Sequence, residues 1–410
     1  MKNTIRKLIG EKRFQEFRAC VLTVQYGYKR KIDTAMNYRA FSIKNRHVFF
    51  GYYDIPQFSV DEKTLLVHVV DKKARPVVDD AEIGCFDIES GEYKRICTTK
   101  TWCWQQGARL RWHPLLNDHI LYNDCENGSY VARVFDTNLN TIVATYPRAL
   151  YDVAHDFSYG LSLNFSRLQR LRPGYGYNRL PDDTENIAIP DNDGVFYIDL
   201  SNGEVKLIVS LELLAKDSPD VEEYQHYINH ISIAPDDTHF TFFHIKTKAA
   251  TSKWTTTLYS CNRDGSELKI IEDRYKVSHY CWKNSEEIIV TCYEGNKQFY
   301  ELINIKTGAA VRFAENKLNV DGHPSYYANE TQLITDTYPG RDCMQRIFMF
   351  NNVANTDGFQ CVAKLYHDPF MNGEKRCDLH PRVLPSGKQF CVDTTCHGKV
   401  RECVLFGGKK

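Results

Sequence analysis

The stretch Asn229-His-Ile-Ser-Ile-Ala-Pro-Asp-Asp237, followed by a strand-like segment at residues 239–244, decides the fold. A histidine leads a short apolar strand, a Pro-Asp-Asp turn reverses the chain, and a second strand follows. Related units occur at residues 51–61, 108–114, 152–160, 278–279, 322–323 and 379–387, which makes seven in all. Repeated strand–turn–strand units are typical of a β-propeller, in which each unit belongs to one blade.

The spacing of the units fixes their register. His230, His279, His323 and His380 each precede a turn residue by seven positions, and Arg111 does the same in the second unit. The intervals between the four histidines are 49, 44 and 57 residues, close to the roughly 40–50 residues of a four-stranded blade. Three segments also end a strand on a tight Gly turn, at residues 86–91, 197–203 and 303–308. The sequence therefore predicts an all-β fold, a seven-bladed β-propeller.

Residues 1–40 differ in pattern from the propeller, which is expected to span residues 41–410. Up to residue 31, apolar positions such as Ile9, Phe17 and Val24 recur at helical spacing among many lysines and arginines. This predicts a basic amphipathic N-terminal helix. Such a helix either packs across the side or base of the propeller or lies on an anionic membrane surface.

Bulk composition narrows the classes of function. The chain has 52 Lys+Arg and 52 Asp+Glu and a net charge of zero, so no global field attracts nucleic acid. Its 14 cysteines are scattered through predicted strands, and no segment approaches the roughly 18 apolar residues of a membrane span. Without an export signal, this pattern predicts a cytoplasmic protein, with the N-terminal helix as the element for peripheral contact with the inner membrane.

The unit at residues 229–237 resembles the His-x-x-x-x-(Ser/Ala)-Pro-Asp-Gly repeat of TolB-type propellers, and the leading histidines of the later units are similar to those of oligogalacturonate lyases. The resemblance covers roughly residues 47–405, through short motifs. It implies a cytoplasmic seven-bladed enzyme with a His-bound divalent metal ion that cleaves uronate-containing oligosaccharides by β-elimination. In place of the family's Gln-x-x-His-x-His metal cluster, the seventh unit offers Cys377-Asp-Leu-His380, with a single histidine.

The leading residues of the units are expected to converge, because the first strand of each blade lies nearest the propeller axis. The four leading histidines therefore predict a ring around one mouth of the central channel. Arg111 occupies the equivalent position in the second unit, and Arg109 lies two residues earlier on the same strand face. A ring of titratable groups in a funnel is a candidate active site.

Two kinds of chemistry suit this ring. Converging imidazoles bind one divalent ion such as Mn, Zn or Fe, and His279, His323 and His380 are the predicted ligands. His230 is the predicted catalytic base, and Arg109 and Arg111 are predicted to hold a carboxylate and stabilise enolate-like charge. A metal-free acid–base site is the alternative.

Further candidates come from the third unit and from the inner strands. A loop at residues 173–179 contains Tyr177, a candidate for the second proton transfer, and Tyr175 and Arg179, candidates for substrate binding. His155 lies on the matched strand face of the third unit, and Trp112 follows Arg111. Both are predicted to contact the substrate, Trp112 by stacking on a sugar ring.

Other interpretations stay open at this stage. Each leading histidine has an acidic or turn residue seven positions on, so the histidines equally suit a structural role as partners of the turns. The protein is then a non-catalytic propeller that binds a protein or a glycan. A further alternative is a membrane-surface glycosyl-transfer enzyme of bacterial polysaccharide assembly. The ring favours an enzyme that acts on an anionic oligosaccharide.

Overall fold

The strands form seven antiparallel sheets, arranged as the blades of a propeller, within the part of the chain that the computed structural model describes (residues 10–216, 223–250, 253–327, 330–354, 356 and 358–409). The predicted seven-bladed β-propeller with an N-terminal helix is confirmed. Ahead of the first blade come helix α1 (Glu11–Tyr26), strand β1 (Ile32–Thr34) and strand β2 (Met36–Phe41).

The blades take their strands in chain order, from the axis outwards. Blade one contains β3 (Arg46–Phe49), β4 (Thr64–Asp71), β5 (Ala81–Asp87) and β6 (Tyr93–Thr99). Blade two contains β7 (Arg111–Trp112), β8 (His119–Glu126), β9 (Ser129–Asp136) and β10 (Thr141–Tyr146). Blade three contains β11 (Asp152–Val153), β12 (Tyr159–Ser162), β13 (Gly194–Asp199) and β14 (Val205–Ser210). Helix α2 (Phe165–Leu171) is inserted between β12 and β13, and the short helix α3 (Leu211–Ala215) follows β14.

The later blades repeat the arrangement. Blades four to seven are built from β15 (Gln225–Ile233), β16 (His239–Thr247), β17 (Trp254–Asn262) and β18 (Lys269–Glu272); β19 (Lys276–Trp282), β20 (Glu287–Glu294), β21 (Lys297–Asn304) and β22 (Ala310–Phe313); β23 (Ser325–Tyr327), β24 (Gln332–Asp336), β25 (Met344–Phe350) and β26 (Gln360–Tyr366); and β27 (Arg382–Val383), β28 (Gln389–Thr394) and β29 (Glu402–Lys409).

The N-terminal strands complete the last two blades. β2 pairs with β29 as the outer strand of blade seven, and β1 pairs with β26 as a fifth strand of blade six. The ring is thus closed by strands from both ends of the chain, which hides an edge that would otherwise be open to aggregation. The domain boundary expected after residue 40 falls inside β2, so the residues from Ile32 onward belong to blades.

The core lies between neighbouring blades. The second strands of the blades are covered on both faces: β4 and β8 are each buried at six consecutive positions. This explains why they read as continuous apolar runs rather than alternating strands. Such two-sided burial makes the blades a rigid support for the residues at the axis.

Helix α1 packs on blade six with one face and exposes the other. Ala19 is buried, and Leu22 and Tyr26 contact the apolar cluster of that blade. On the opposite face, Phe17, Val21 and Val24 are 56%, 46% and 88% exposed, and Tyr28, in the 3₁₀ turn that follows the helix, is 77% exposed. Of the predicted helix at residues 1–31, residues 1–9 lie outside the described part of the chain. No described helix is long and apolar enough to cross a membrane.

Candidate functional site: a buried histidine ring

The leading histidines are directed towards the axis by irregular backbone. His230 has φ of 49° at a register shift of β15, and His380 has φ of 47° just ahead of β27. His279 lies at a second register shift, in β19. Bulges re-aim side chains, and positive φ is uncommon outside glycine, so these positions carry local strain of the kind found at functional sites.

The four histidines converge in the folded protein. Ring centroids are 5.6 Å apart for His230 and His279, 4.2 Å for His279 and His323, and 4.3 Å for His323 and His380. All four side chains are buried. The matched positions in the sequence thus correspond to one cluster of imidazoles at the axis.

Two tyrosines from the first unit, which the sequence analysis did not single out, fill the middle of the ring. The Tyr52 ring centroid is 4.7 Å from that of His380, and its hydroxyl is 2.9 Å from His230 Nε2. The Tyr53 ring lies 5.2 Å from that of His323. The signal was available, because Gly51-Tyr-Tyr-Asp54 leads the first unit as the histidines lead later ones.

The Nδ1 atoms of three ring histidines are engaged by acceptors. His323 Nδ1 is 2.8 Å from Asp336, His279 Nδ1 is 3.1 Å from Asp321, and His380 Nδ1 is 2.8 Å from the Gly51 carbonyl. These contacts fix the rings and direct Nε2 inward, as the outer partners of metal-binding histidines do. Within the described residues, Nε2 of His323 and of His380 is buried and has no hydrogen-bond partner.

In the structural alternative, each ring histidine is hydrogen-bonded to a nearby acid within its own blade or in a neighbouring blade. The turn residue Asp237, seven positions after His230, accepts from the backbone and ring of His155 instead. His230 pairs with Tyr52, and the acids that hold His279 and His323 come from other positions. His279 and His323 are therefore held by acids outside their own turns, and these contacts suit the structural alternative as well as a functional site.

Asp378 completes a group that fits a metal ion. One ligand atom each of His323, Asp378 and His380 lies within 4.8 Å of the others, and all three residues are buried. Burial alone would raise the pKa of the Asp378 carboxyl, but the attraction and hydrogen bonds of Arg376 outweigh it and lower the pKa below its usual range. Burial lowers the pKa of His380, so a carboxylate and a neutral imidazole are both available as ligands.

This group differs from the predicted ligand set by one member. His323 and His380 belong to it, whereas His279 Nε2 lies 3.5 Å from the Tyr338 hydroxyl. Asp378 takes the third place and was missed. Its position two residues before His380 is the signal that the sequence carried, although the positive φ of His380 shows that this segment is not a regular strand.

The two predicted catalytic arginines are committed to internal ion pairs. Arg109 donates to both oxygens of Asp54, at 3.1 and 2.9 Å, and to the Tyr151 carbonyl at 2.8 Å. Arg111 donates to Asp152 at 2.9 Å. Because each guanidinium is already neutralised by a carboxylate from a neighbouring segment, the arrangement argues against the predicted role of holding a substrate carboxylate.

The other predicted residues divide between the core, the surface and the site. Tyr177 is 1% exposed, is stacked on Phe165 at 4.4 Å and accepts from Asn123, which is a core position. Tyr175 is buried with its ring 6.3 Å from that of Tyr52, and its hydroxyl has no hydrogen-bond partner within the described residues. Tyr175 therefore borders the ring.

Three predicted substrate contacts lie elsewhere. The His155 side chain is 65% exposed on the turn with Asp237. Arg179 donates to the Lys100 carbonyl at 2.9 Å and to Asp80. Trp112 packs against the apolar cluster of blades one and two. None of the three contacts the ring in the described structure.

Cavities approach the ring from two sides. One of about 390 Å³ is lined by Tyr52, Tyr53, His230 and the ends of the inner strands. Another of about 310 Å³ lies between α1 and blade six and is lined by Tyr338 and Arg376. Arg376 contacts Asp378, and Tyr338 contacts His279, so both cavities end at residues of the ring or at their direct partners.

No protein-family model matches the chain, and no curated protein matches it in sequence. Among solved structures, an oligogalacturonate lyase in complex with manganese gives a TM-score of 0.68 at 14% identity, over 92% of this chain and 96% of that one. An oligogalacturonate lyase from Vibrio parahaemolyticus gives 0.61 at 13% identity, over 92% and 98%. Hydrazine synthase from Kuenenia stuttgartiensis gives 0.51 at 9% identity, over 90% and 100%.

Neighbours with such different names share the architecture, so function has to be argued from the site. What the similarity establishes is the fold, over nearly the whole length of both chains. The chain has the seven-bladed propeller fold of the oligogalacturonate lyases, as the resemblance of its repeats and leading histidines implied.

Proposed function

We propose that the protein is a lyase that cleaves uronate-containing oligosaccharides by β-elimination at the histidine ring, with a divalent ion held by His323, Asp378 and His380. The observation that carries the proposal is the pair of buried Nε2 atoms, which have no hydrogen-bond partner among the described residues, beside a buried carboxylate. Two imidazoles and a carboxylate suit Mn, Fe or Zn. Manganese is the first choice, since a structural neighbour is a manganese complex.

When bound, the ion would polarise the carboxylate of the reacting sugar and so make the adjacent C–H bond more acidic. His230 is the base for that proton. Burial, together with repulsion from His279 and Arg109, lowers the pKa of His230 well below its ordinary value. The His230 imidazole is therefore neutral at neutral pH, and its Nε2 atom, which contacts the Tyr52 hydroxyl, is able to accept a proton.

Tyr52 is the acid for the leaving group. As the C–H bond breaks, its electron pair forms a C=C bond. The C–O bond at the β position breaks at the same time, and the leaving oxygen keeps the electron pair of that C–O bond and takes the phenolic proton of Tyr52. Burial raises the pKa of Tyr52 well above its ordinary value, which keeps the hydroxyl protonated until transfer. The proton on His230 returns to Tyr52 across their 2.9 Å contact and restores both groups.

The test is an assay of manganese-loaded protein with oligomers of galacturonate, glucuronate and mannuronate, which follows ultraviolet absorbance of the new C=C bond. We expect His230→Ala and Tyr52→Phe to lower kcat by about 10²–10⁴-fold, with thermal midpoints near that of the parent protein. His155→Ala, on an exposed turn away from the ring, is the matched control. No absorbance increase with any of these substrates would contradict the proposal.

We further propose that the protein is cytoplasmic and touches the inner membrane through α1. The support is the exposed stripe of Phe17, Val21 and Val24, whose spacing of four and three residues marks one helical face, with Tyr28 exposed in the short 3₁₀ turn after α1. Basic residues flank the stripe. An apolar face with cationic flanks suits an anionic lipid surface.

A further inference from the structure

A half-buried pair of cations lies on one indole ring near the histidine ring. Arg172 follows α2, and its guanidinium carbon is 5.0 Å from the Tyr175 ring centroid and 5.0 Å from that of Trp254. Lys276, at the start of β19, places Nζ 3.6 Å from the Trp254 ring centroid. Two positive side chains therefore share one aromatic ring, where their mutual repulsion opposes the attraction of each to the ring.

The pair makes no direct ion pair within the described residues, and the attraction of Asp321 for Lys276 is weaker than the repulsion from Arg172. Interior arginines such as Arg109 and Arg382 are held by Asp54 and Asp393, whereas within the described residues no ion pair or side-chain hydrogen bond satisfies Arg172 or Lys276. Burial, followed by repulsion from Arg172, lowers the pKa of Lys276. Like charges brought together without a carboxylate are costly unless an anion binds between them.

Two side chains, Tyr175 and Tyr52, lie between Arg172 and His380 of the proposed metal group. Tyr175, which contacts Arg172, has its ring 6.3 Å from that of Tyr52. On the other side, Lys276 lies 5.3 Å from the Tyr293 ring, and Tyr293 donates to Asp321, the partner of His279. Two series of contacts thus join the cation pair to Tyr52, in the middle of the ring, and to His279.

We propose that Arg172 and Lys276 form an anion subsite that binds the carboxylate of a second uronate, next to the sugar that reacts at the ring. The subsite rests on the proposed function for the identity of the reacting sugar. The subsite makes the preferred substrate an oligouronate with a free carboxylate on the sugar next to the reacting one. It disfavours an oligouronate in which that neighbouring sugar is methyl-esterified.

The test compares metal-loaded parent protein with Arg172→Gln and Lys276→Gln. Because a charge-assisted hydrogen bond is lost, we expect each variant to raise KM for an oligogalacturonate about 10- to 100-fold with kcat nearly unchanged. An oligogalacturonate that is methyl-esterified on the sugar next to the reacting one should bind the parent protein and both variants with the same affinity. Arg274→Gln is the matched control, since it removes an exposed positive charge two residues from Lys276 that is already paired with Glu272 and Glu301.

Binding measured on His230→Ala protein separates this subsite from the chemistry. If no lyase activity is found, weaker binding of the oligouronate by His230→Ala/Arg172→Gln than by His230→Ala still supports the subsite. If lyase activity is found but KM and binding are unchanged in both charge variants, the subsite is wrong while the proposed function stands. A lower thermal midpoint with unchanged binding also overturns it, because the cations would then be structural.

Discussion

Asp336→Asn is the sharpest single perturbation of the proposed metal group, because it alters a partner of the ligands and leaves the ligands in place. Asp336 is fully buried and accepts three hydrogen bonds: from the backbone and the ring of His323, both at 2.8 Å to Oδ1, and from the backbone of His380 at 3.0 Å to Oδ2. An asparagine keeps the size and one acceptor, but its amide N–H₂ faces one of these donors.

The magnitude follows from that mismatch. One buried N–H loses its acceptor, which costs about 1–3 kcal/mol of folding stability. Replacing a carboxylate that orients a ligating histidine typically weakens metal binding by about 10- to 100-fold. We therefore expect the Kd for Mn²⁺ to rise by that factor, measured by calorimetric titration of metal-free protein.

The control is Asp342→Asn, which removes a half-exposed carboxylate that pairs with Arg346 on a nearby loop of blade six. It should leave the Kd for Mn²⁺ unchanged. If Asp336→Asn lowers the thermal midpoint but binds Mn²⁺ as tightly as the parent, Asp336 serves only the fold. If the parent protein binds no Mn²⁺, Zn²⁺ or Fe²⁺, the assignment of His323, Asp378 and His380 as ligands is refuted.

Two further predictions concern pH and lipid. The lowered pKa of His230 keeps this base neutral as the pH falls. The acid limb of a kcat/KM profile should therefore lie below the ordinary histidine pKa of about 6.5. An acid limb at or above that value would exclude His230 as the base. The triple variant Phe17→Ser/Val21→Ser/Val24→Ser should lose co-sedimentation with vesicles of anionic phosphatidylglycerol. The control variant Leu139→Ser, which changes an exposed apolar position on blade two, should still co-sediment. Equal sedimentation of the parent protein and both variants would exclude α1 as the membrane contact.

The architecture was predictable because it is written in local patterns. Turns of the Pro-Asp-Asp kind recur at a blade's spacing, and the seven-residue distance from each leading histidine to its turn sets the same register in every unit. Position on an inner strand then follows from the fold class. This is why the meeting of His230, His279, His323 and His380 at the axis could be expected from one sequence.

The partners of these residues were not predictable in the same way. Arg111 occupies the matched position and Arg109 lies two residues before it, yet their carboxylates, Asp54 and Asp152, come from the leading segments of the units before and after. Nothing in a single sequence reports which charges are neutralised across blades. Arg172 lies in an insertion outside the repeat, so no register argument reaches it.

The balance of charge at the ring gives a physical reason for a divalent ion at this place. The carboxylates of Asp321, Asp336 and Asp378 are buried around the imidazoles, and Arg376 pairs with only one of them. Burial alone would raise the pKa of the Asp321 carboxyl, but attraction to His279 and the hydrogen bonds from His279 and Tyr293 outweigh it and lower the pKa, so this acid also remains charged. Burial would lower the pKa of His323, but attraction to Asp336 and the hydrogen bond with it outweigh burial and raise the pKa, so this imidazole meets part of the negative charge of the carboxylates. A divalent ion bound at Nε2 of His323 and His380 and at Asp378 would meet that charge where it is concentrated. The same acids that orient the histidines therefore concentrate negative charge where the proposed ion would lie, and binding of that ion at His323 would release the proton of this imidazole.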